Sequence, residues 1–255
     1  MNLGVTAEEL LKKEDYLTTG CSKIDELLRG GISKRGITQI YGEAGTGKTQ
    51  FALQLCLTAQ ICPEGEKAKG VLYICTESIF PSKRLQELLI CSPISIKHRP
   101  TSDLIFVEHV STVRDLENCI LTRVPVILTN NSISLLIIDS IAAPYRAEYE
   151  ENQLKSRAKS LRSIGHALHG FSINNDLCIV CINQVSASMG AVKSSCHEYQ
   201  PVLGVTWACQ VTNSINFCRI HDQRHIHVRE SSYIPRESLS FNITQAGVFG
   251  SSVLL

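Results

Sequence analysis

Short apolar runs alternate with amphipathic stretches through most of the chain. The runs are rich in Ile, Val and Leu and predict buried strands at Ile37–Tyr41, Val71–Cys75, Ile105–Val107, Ser134–Ile138 and Leu177–Ile182. The stretches between them place apolar residues at helical spacing and predict helices at Lys48–Gln60, Lys83–Leu89, Val113–Leu121 and Leu154–Phe171. Strands that alternate with helices indicate an α/β domain whose mostly parallel central sheet has helices on both faces.

The pattern changes after Trp207. Apolar and polar residues alternate over residues 211–217 and again around Ile226 and Val228, with a turn-like pair near Asp222 between them. Such alternation is typical of antiparallel strands with one buried face. We therefore expect a C-terminal antiparallel hairpin added to the edge of the parallel sheet.

Composition narrows the class of protein. The chain has 255 residues, which suits one large α/β domain, and a net charge of +1, so any contact with nucleic acid must come from local basic patches. It has neither an apolar run of about 18 residues nor a signal-like N-terminus, which predicts an intracellular protein without membrane association. The 11 cysteines include Cys178 and Cys181, which fall on opposite faces of one predicted strand and favour packing over metal or redox chemistry.

A phosphate-binding loop follows the first predicted strand. The motif consists of Gly42, Glu43, Ala44, Gly45, Thr46, Gly47, Lys48 and Thr49. Its glycines let backbone N–H groups point at phosphate oxygens, Lys48 supplies a cation, and Thr49 offers a hydroxyl to Mg²⁺. Because a strand precedes the motif and a helix follows it, the sequence predicts an ATP–Mg²⁺ site here rather than a glycine-rich turn without a ligand.

Polar residues end three other predicted strands. Asp139 follows the run 134–138 and is positioned to hold Mg²⁺ with Thr49. Glu77 and Gln184 follow two further runs, and a parallel sheet would place all three on the rim that carries Lys48. A carboxylate there can activate water and an amide can contact the γ-phosphate, although polar residues at strand ends are also common without any such role.

A row of cations marks the last predicted helix. Its core stripe is Leu154, Ala158, Leu161, Gly165 and Leu168. An adjacent face carries Lys155, Lys159, Arg162 and His166, which either contact DNA phosphates or form an ordinary solvated face. Arg146 and Tyr149 precede this helix and pair a charge with a ring that could stack on a base. Arg219, Arg224 and Arg229 form a second basic cluster on the predicted hairpin.

Several segments together resemble the catalytic core of the RecA-like strand-exchange recombinases of eukaryotes and archaea, and among these the recombinase paralogues. They are Leu17–Gly20, Ile24–Gly31, Gly42–Gln50, Tyr73–Glu77 with Arg84, Leu136–Ser140 and Ile182–Val185. The resemblance implies a RecA-like P-loop ATPase core over 17–255, preceded at 1–16 by the remnant of an N-terminal helix or linker.

The resemblance also implies roles for individual residues. Glu77 matches the water-activating glutamate, Gln184 the γ-phosphate sensor and Arg84 the arginine beside the adenine, while Gln50 extends the phosphate loop. Residues 146–152 match the first DNA-facing loop and residues 185–202 the second.

The implied function is homologous-recombination repair of DNA double-strand breaks. The expected partners are single-stranded or branched DNA, a C-type recombinase paralogue and the recombinase filament, within a hetero-oligomer of the nucleus and also of the cytoplasm. We expect slow, DNA-stimulated ATP hydrolysis. One alternative is a non-hydrolysing structural subunit in which ATP holds a repair complex together, and another is a P-loop kinase for a small acceptor.

Overall fold

The structure is a computed structural model that describes residues 16–63, 65–149, 153–186 and 199–251. Apart from Tyr16, the segment expected to be an N-terminal remnant lies outside these residues. So does most of the second DNA-facing loop expected at 185–202, and so do residues 150–152 of the first. None of the helices within the described ranges is long and apolar enough to cross a membrane.

The described part of the chain contains short strands as well as one large set of central strands. They are β1 Tyr16–Leu17, β2 Ile32–Ser33, β3 Ile37–Tyr41, β4 Gly70–Cys75, β5 Ile105–His109, β6 Ile133–Asp139, β7 Cys178–Asn183, β8 Val185–Ser186, β9 Gln200–Pro201, β10 Asn213–Ile220, β11 Gln223–Glu230, β12 Ser238–Thr244 and β13 Gly247–Gly250. Every central strand expected from the apolar runs forms within a few residues of its predicted bounds.

The helices follow the strands as the alternating pattern predicts. They are α1 Ser22–Leu27, α2 Lys48–Thr58, α3 Ser82–Cys91, α4 Pro93–His98, α5 Val113–Asn118, α6 Val124–Asn130, α7 Ala143–Glu148, α8 Leu154–Asn175 and α9 Gly204–Ala208. A 3₁₀ turn covers Ser102–Leu104, and a π-helical turn at Cys119–Arg123 joins α5 to α6. The helix expected at Val113–Leu121 is thus the first part of a longer helical segment.

Nine strands form one sheet in the order β13-β12-β11-β10-β3-β7-β6-β4-β5. The strands from β10 through β3, β7, β6 and β4 to β5 are parallel, and β10 through β13 are antiparallel. The mostly parallel sheet and the C-terminal hairpin are confirmed. The second antiparallel pair, β12 and β13, was not predicted and moves the sheet edge outward from β11.

Two apolar cores cover the two faces of this sheet. One contains residues of α2 and α3 together with Phe217 and Phe241, and the other contains residues of α5 and α8. Cys178 packs in the first core and Cys181 in the second, as strand alternation predicts. Burial raises the pKa of both thiols, which keeps them protonated and suits a packing role.

The predicted core stripe of α8 is correct in its middle and wrong at its start. Leu161, Gly165 and Leu168 are buried, but Leu154 is 58% exposed. Leu154 is the first residue of the helix, and its side chain lines the open groove beside α9. Helical spacing marks a face, whereas burial also requires a neighbouring element to cover that face.

Candidate nucleotide-binding site

A cleft of about 860 Å³ opens at the carboxyl ends of the parallel strands. Its lining comprises Gly42, Glu43, Ala44, Gly45, Gly47, Lys48, Thr49, Gln50, Glu77, Asp139, Ser140, Arg146, Ile182, Gln184, Val185, Arg224 and Ile243. The register explains why strands β3, β4, β6 and β7 contribute together, because Cys75 pairs with Asp139 and Asp139 with Ile182. The rim inferred from the apolar runs is therefore a single surface.

The phosphate loop requires glycine where it packs against the antiparallel strands. Gly47 precedes α2 with φ 108°, and a Cβ atom on it would lie 2.6 Å from Ile243 Cδ1. A Cβ atom on Gly42 would lie 1.9 Å from the Phe217 carbonyl oxygen. Only glycine combines this backbone conformation with so close an approach. The loop is therefore fixed between the start of α2 and the strands β10 and β12.

The Lys48 ammonium crosses the inside of the loop. Its Nζ donates to the carbonyl oxygens of Gly42 at 2.8 Å and Glu43 at 2.7 Å. Burial lowers the pKa of Lys48, while the carboxylates of Asp139, Glu77 and Glu43 act in the opposite direction. A partly buried cation held by two neutral carbonyls is poised to bind a phosphate, whose negative charge makes it the stronger acceptor.

Asp139 lies beside the start of α2. Its Oδ2 accepts hydrogen bonds from Thr49 Oγ1 at 2.9 Å and from the Tyr73 hydroxyl at 2.7 Å. Burial raises the pKa of Asp139, although the bonds from Tyr73 and Thr49 and the charge of Lys48 lower it. Two hard oxygens 2.9 Å apart match adjacent ligands of Mg²⁺, which binds oxygens at about 2.0–2.1 Å with octahedral geometry. Thr49 and Asp139 thus fit the expected metal.

Glu77 and Gln184 contact each other across the cleft. Gln184 Nε2 donates to Glu77 Oε1 at 2.6 Å, and Oε1 of the same Gln184 side chain accepts a hydrogen bond from Arg146 Nη1. The amide therefore connects the candidate catalytic carboxylate to a residue of the first expected DNA-facing loop. The structure brings together Arg146, expected at the DNA, with the residues expected at the γ-phosphate.

Arg84 lies outside the cleft lining, against the turn between β12 and β13. Its guanidinium donates to Gln50 Oε1 at 2.6 Å, to the carbonyl oxygen of Thr244 at 2.5 Å and to that of Gln245 at 3.2 Å. It also pairs with Glu87 at 2.8 Å. Both Gln50 and Arg84, expected at the nucleotide, are held in position by hydrogen bonds.

The remaining residues expected to bind DNA lie on a second surface. Lys155, Lys159 and Arg162 are exposed on α8 and line a groove of about 710 Å³ between α8 and α9. Tyr149 is half-buried, and its ring stacks on Tyr145 with centroids 5.8 Å apart, so one face of the ring is already covered.

Sequence reasoning did not assign three residues to these sites, although it placed Arg224 in the basic cluster of the hairpin. The Tyr73 hydroxyl donates a hydrogen bond to Asp139, and the sequence feature that could have indicated this is a hydroxyl inside an otherwise apolar strand. Arg157 lines the groove of α8 although it lies outside the predicted row of cations. Arg224 lines the nucleotide cleft, and its signal was a cation in phase with Ile226 and Val228, whose side chains are buried.

Comparison with known proteins agrees with this geometry. Residues 12–251 match the Rad51 family. The bovine DNA repair protein XRCC3 is 34% identical over 96% of this chain and 80% of its own length, and the mouse protein of that name is 33% identical over 95% and 77%. The fission yeast DNA repair protein rhp57 is 35% identical over 67% of this chain and 54% of its own length.

These matches confirm the resemblance to recombinase paralogues and the RecA-like fold. The family match covers nearly all of the described residues, including every strand that ends at the cleft. Because it extends over most of the chain, and because relatives above 30% identity cover the chain almost completely, this protein belongs to the Rad51 family.

Proposed function

We propose that this protein is an ATP-dependent, DNA-binding recombinase paralogue that assists the strand-exchange recombinase in homologous-recombination repair of DNA double-strand breaks. Membership of the Rad51 family and likeness to proteins named for DNA repair support the proposal. Members of the family are ATPases that bind ATP with a metal, typically Mg²⁺, and act on DNA with other recombinases or paralogues.

The cleft provides what in-line hydrolysis of ATP requires. Lys48 and the N-terminus of α2 would bind the phosphates. Arg84, which donates to Gln50 of the cleft lining, would pack beside the adenine. Mg²⁺ held by Thr49 and Asp139 would neutralise charge on the transferring phosphoryl group. Glu77 orients the attacking water and accepts its proton as the oxygen–phosphorus bond forms and the bond to the leaving ADP oxygen breaks.

The observation on which the proposal mainly rests is the hydrogen-bonded chain from Arg146 through Gln184 to Glu77. DNA phosphates compete with the Gln184 carbonyl for the Arg146 guanidinium, and they are stronger acceptors because they are charged. Once released, the Gln184 amide contacts the γ-phosphate instead of Glu77. DNA binding then frees the catalytic carboxylate, and hydrolysis is DNA-stimulated and slow without DNA.

The groove between α8 and α9 is the proposed path of the DNA backbone. Lys155, Lys159, Arg162 and Arg157 line it, and no carboxylate does so among the residues that the structure describes. Arg157 lines the groove as well, and its Nε has no hydrogen-bond partner among the described residues. Single strands or branched DNA fit this arrangement, because cations along a groove follow the backbone without reading bases.

A structural subunit is the second candidate, and one observation favours it. Gln184 already occupies Glu77 Oε1 at 2.6 Å, and a carboxylate that accepts this bond is less available to water. In that case ATP would hold the protein against its partner without turnover. In either case we propose a C-type paralogue and the recombinase filament as partners, a hetero-oligomeric state, and location in the nucleus and also in the cytoplasm.

Phosphate release by the purified hetero-oligomer, measured with and without single-stranded DNA, tests the proposal. Glu77→Gln should lower the DNA-stimulated rate by roughly a hundredfold to ten-thousandfold while ATP binding persists. Arg146→Ala should bring the ratio of the rates with and without DNA close to one. Lys83→Ala is the matched control. Lys83 is an exposed cation of α3, and α3 packs on the face of the sheet opposite to α8. Equal rates for Glu77→Gln and the unaltered protein would contradict hydrolysis and favour the structural subunit.

A further inference from the structure

Arg224 occupies an unusual position for a cation. It lies on β11 two residues before Ile226 and four before Val228, both buried in the core that contains α2. Because side chains two residues apart share one face of a strand, Arg224 faces the same side of the sheet as that core. At this end of β11 the core gives way to the nucleotide cleft, and Arg224 is part of the lining of the cleft.

The guanidinium of Arg224 has no partner among the residues that the structure describes. Its Nε has less than 1 Å² of exposed surface and no hydrogen bond, and no ion pair involves it. Arg146, which also lines the cleft, differs because it donates to Gln184, and Arg84 beside the cleft residue Gln50 donates to that residue. A partly buried cation without an acceptor is costly unless an anion comes to it.

The neighbours of Arg224 increase the free-energy cost of leaving its charge without an acceptor. Its cross-strand partner on β10 is Arg219, and its partner on β12 is Phe241. Like charges on directly opposite residues of paired strands repel each other. An anion bound by the accessible part of the Arg224 guanidinium would relieve this repulsion.

The antiparallel strands bring Arg224 close to the phosphate loop. Phe217 of β10 lies against Gly42, and Ile243 of β12 lies against Gly47. Arg224 of β11 and Ile243 of β12 both line the cleft. We propose that Arg224 binds the phosphate groups of ATP as a second fixed cation beside Lys48. This inference rests on the proposed function, since it assigns a further binding residue to the same nucleotide. The planar guanidinium offers paired donors that match phosphate oxygens.

The test is the affinity of the full-length protein for a fluorescent ATP analogue with Mg²⁺. Arg224→Gln should raise the dissociation constant by about tenfold to a hundredfold, the range expected for a hydrogen bond to a charged group. Arg224→Lys should recover part of the loss. Lys83→Gln removes the same charge from an exposed residue of α3 outside the cleft lining and should change the constant less than about twofold.

Thermal unfolding separates this role from a structural one. Without nucleotide, Arg224→Gln should melt at or above the temperature of the unaltered protein, because an unpaired cation has been removed. With ATP and Mg²⁺ it should gain less stability than the unaltered protein. A lower melting temperature without nucleotide, or equal affinity for the analogue, would overturn this inference alone. Failure of the unaltered protein to bind the analogue would overturn the proposed function together with it.

Discussion

At the scale of single residues, the cleft contains polar groups that are partly removed from water, and Asp139 is the main example. Asp139 Oδ2 accepts from two hydroxyls, those of Thr49 and Tyr73, and burial nevertheless raises the pKa of the Asp139 carboxyl. A group whose pKa is raised in the folded state loses its stabilising effect as the pH rises through that pKa. At neutral pH the ionised Asp139 therefore costs stability, which binding of Mg²⁺ would offset.

Asp139→Asn removes the charge and keeps an oxygen that can accept from Tyr73. We expect the nucleotide-free variant to melt a few degrees higher than the unaltered protein at neutral pH. The difference should shrink as the pH falls towards 3.8, the ordinary pKa of the carboxyl, where Asp139 becomes protonated in both states. Calorimetry over this pH range measures it, and the added stability from ATP with Mg²⁺ should be smaller in the variant. A difference in melting temperature that does not change with pH would contradict the conclusion that the ionised Asp139 lowers the stability.

At the scale of elements, one buried side chain joins α2 to the last strand, β13, by hydrogen bonds. Gln54 is fully buried; its Nε2 donates to the carbonyl oxygens of Thr19 at 2.7 Å and Val248 at 3.0 Å, and its Oε1 accepts from Val248 N at 2.6 Å. These bonds join the helix of the phosphate loop to β13 and to the segment before α1. The position of α2 thus depends on the C-terminal strands.

Gln54→Leu leaves three buried backbone groups without partners. We expect it to lower the free energy of unfolding by about 2–5 kcal/mol, because each unsatisfied buried group costs about 1–3 kcal/mol and the structure relaxes in part. Chemical denaturation measures the loss. Gln86→Leu, at an exposed position of α3, should change the free energy by less than about 0.5 kcal/mol. Equal effects of the two substitutions would show that the hydrogen bonds of Gln54 do not stabilise the position of α2.

At the scale of the whole molecule, charge is distributed locally. The net charge is +1, yet the groove between α8 and α9 is lined by Lys155, Arg157, Lys159 and Arg162. Lys83 lies on α3, which packs on the opposite face of the sheet. A nearly neutral protein can therefore present one basic face to a polyanion.

Removal of one cation from this groove should change the salt dependence of DNA binding. For Lys159→Ala we expect the slope of the logarithm of the binding constant against the logarithm of salt concentration to become shallower by about 0.7, the value for one contact with a phosphate of single-stranded DNA. Fluorescence anisotropy at several salt concentrations measures the slope. Lys83→Ala should leave it unchanged. An unaltered slope for Lys159→Ala would indicate that the row of cations is an ordinary solvated face.

Much of the site could be predicted because its motif is contiguous. The phosphate loop, the strand before it and the helix after it follow one another directly, and Asp139, Glu77 and Gln184 each end an apolar run. The interactions of Tyr73 and Arg224 could not be predicted, because their partners and surroundings come from strands distant in the chain. The exposure of Leu154 likewise depends on which element covers the start of α8.

The sequence alone determined the α/β class, the parallel strands, the phosphate loop and the rim on which Glu77, Asp139 and Gln184 lie. Local periodicity and a contiguous motif are enough for these, because each depends on residues that are neighbours along the chain. Only the tertiary structure decided that Arg146 contacts Gln184 and that β11 and β12 line the cleft through Arg224 and Ile243. Those contacts depend on strand order and register, which join residues far apart in sequence.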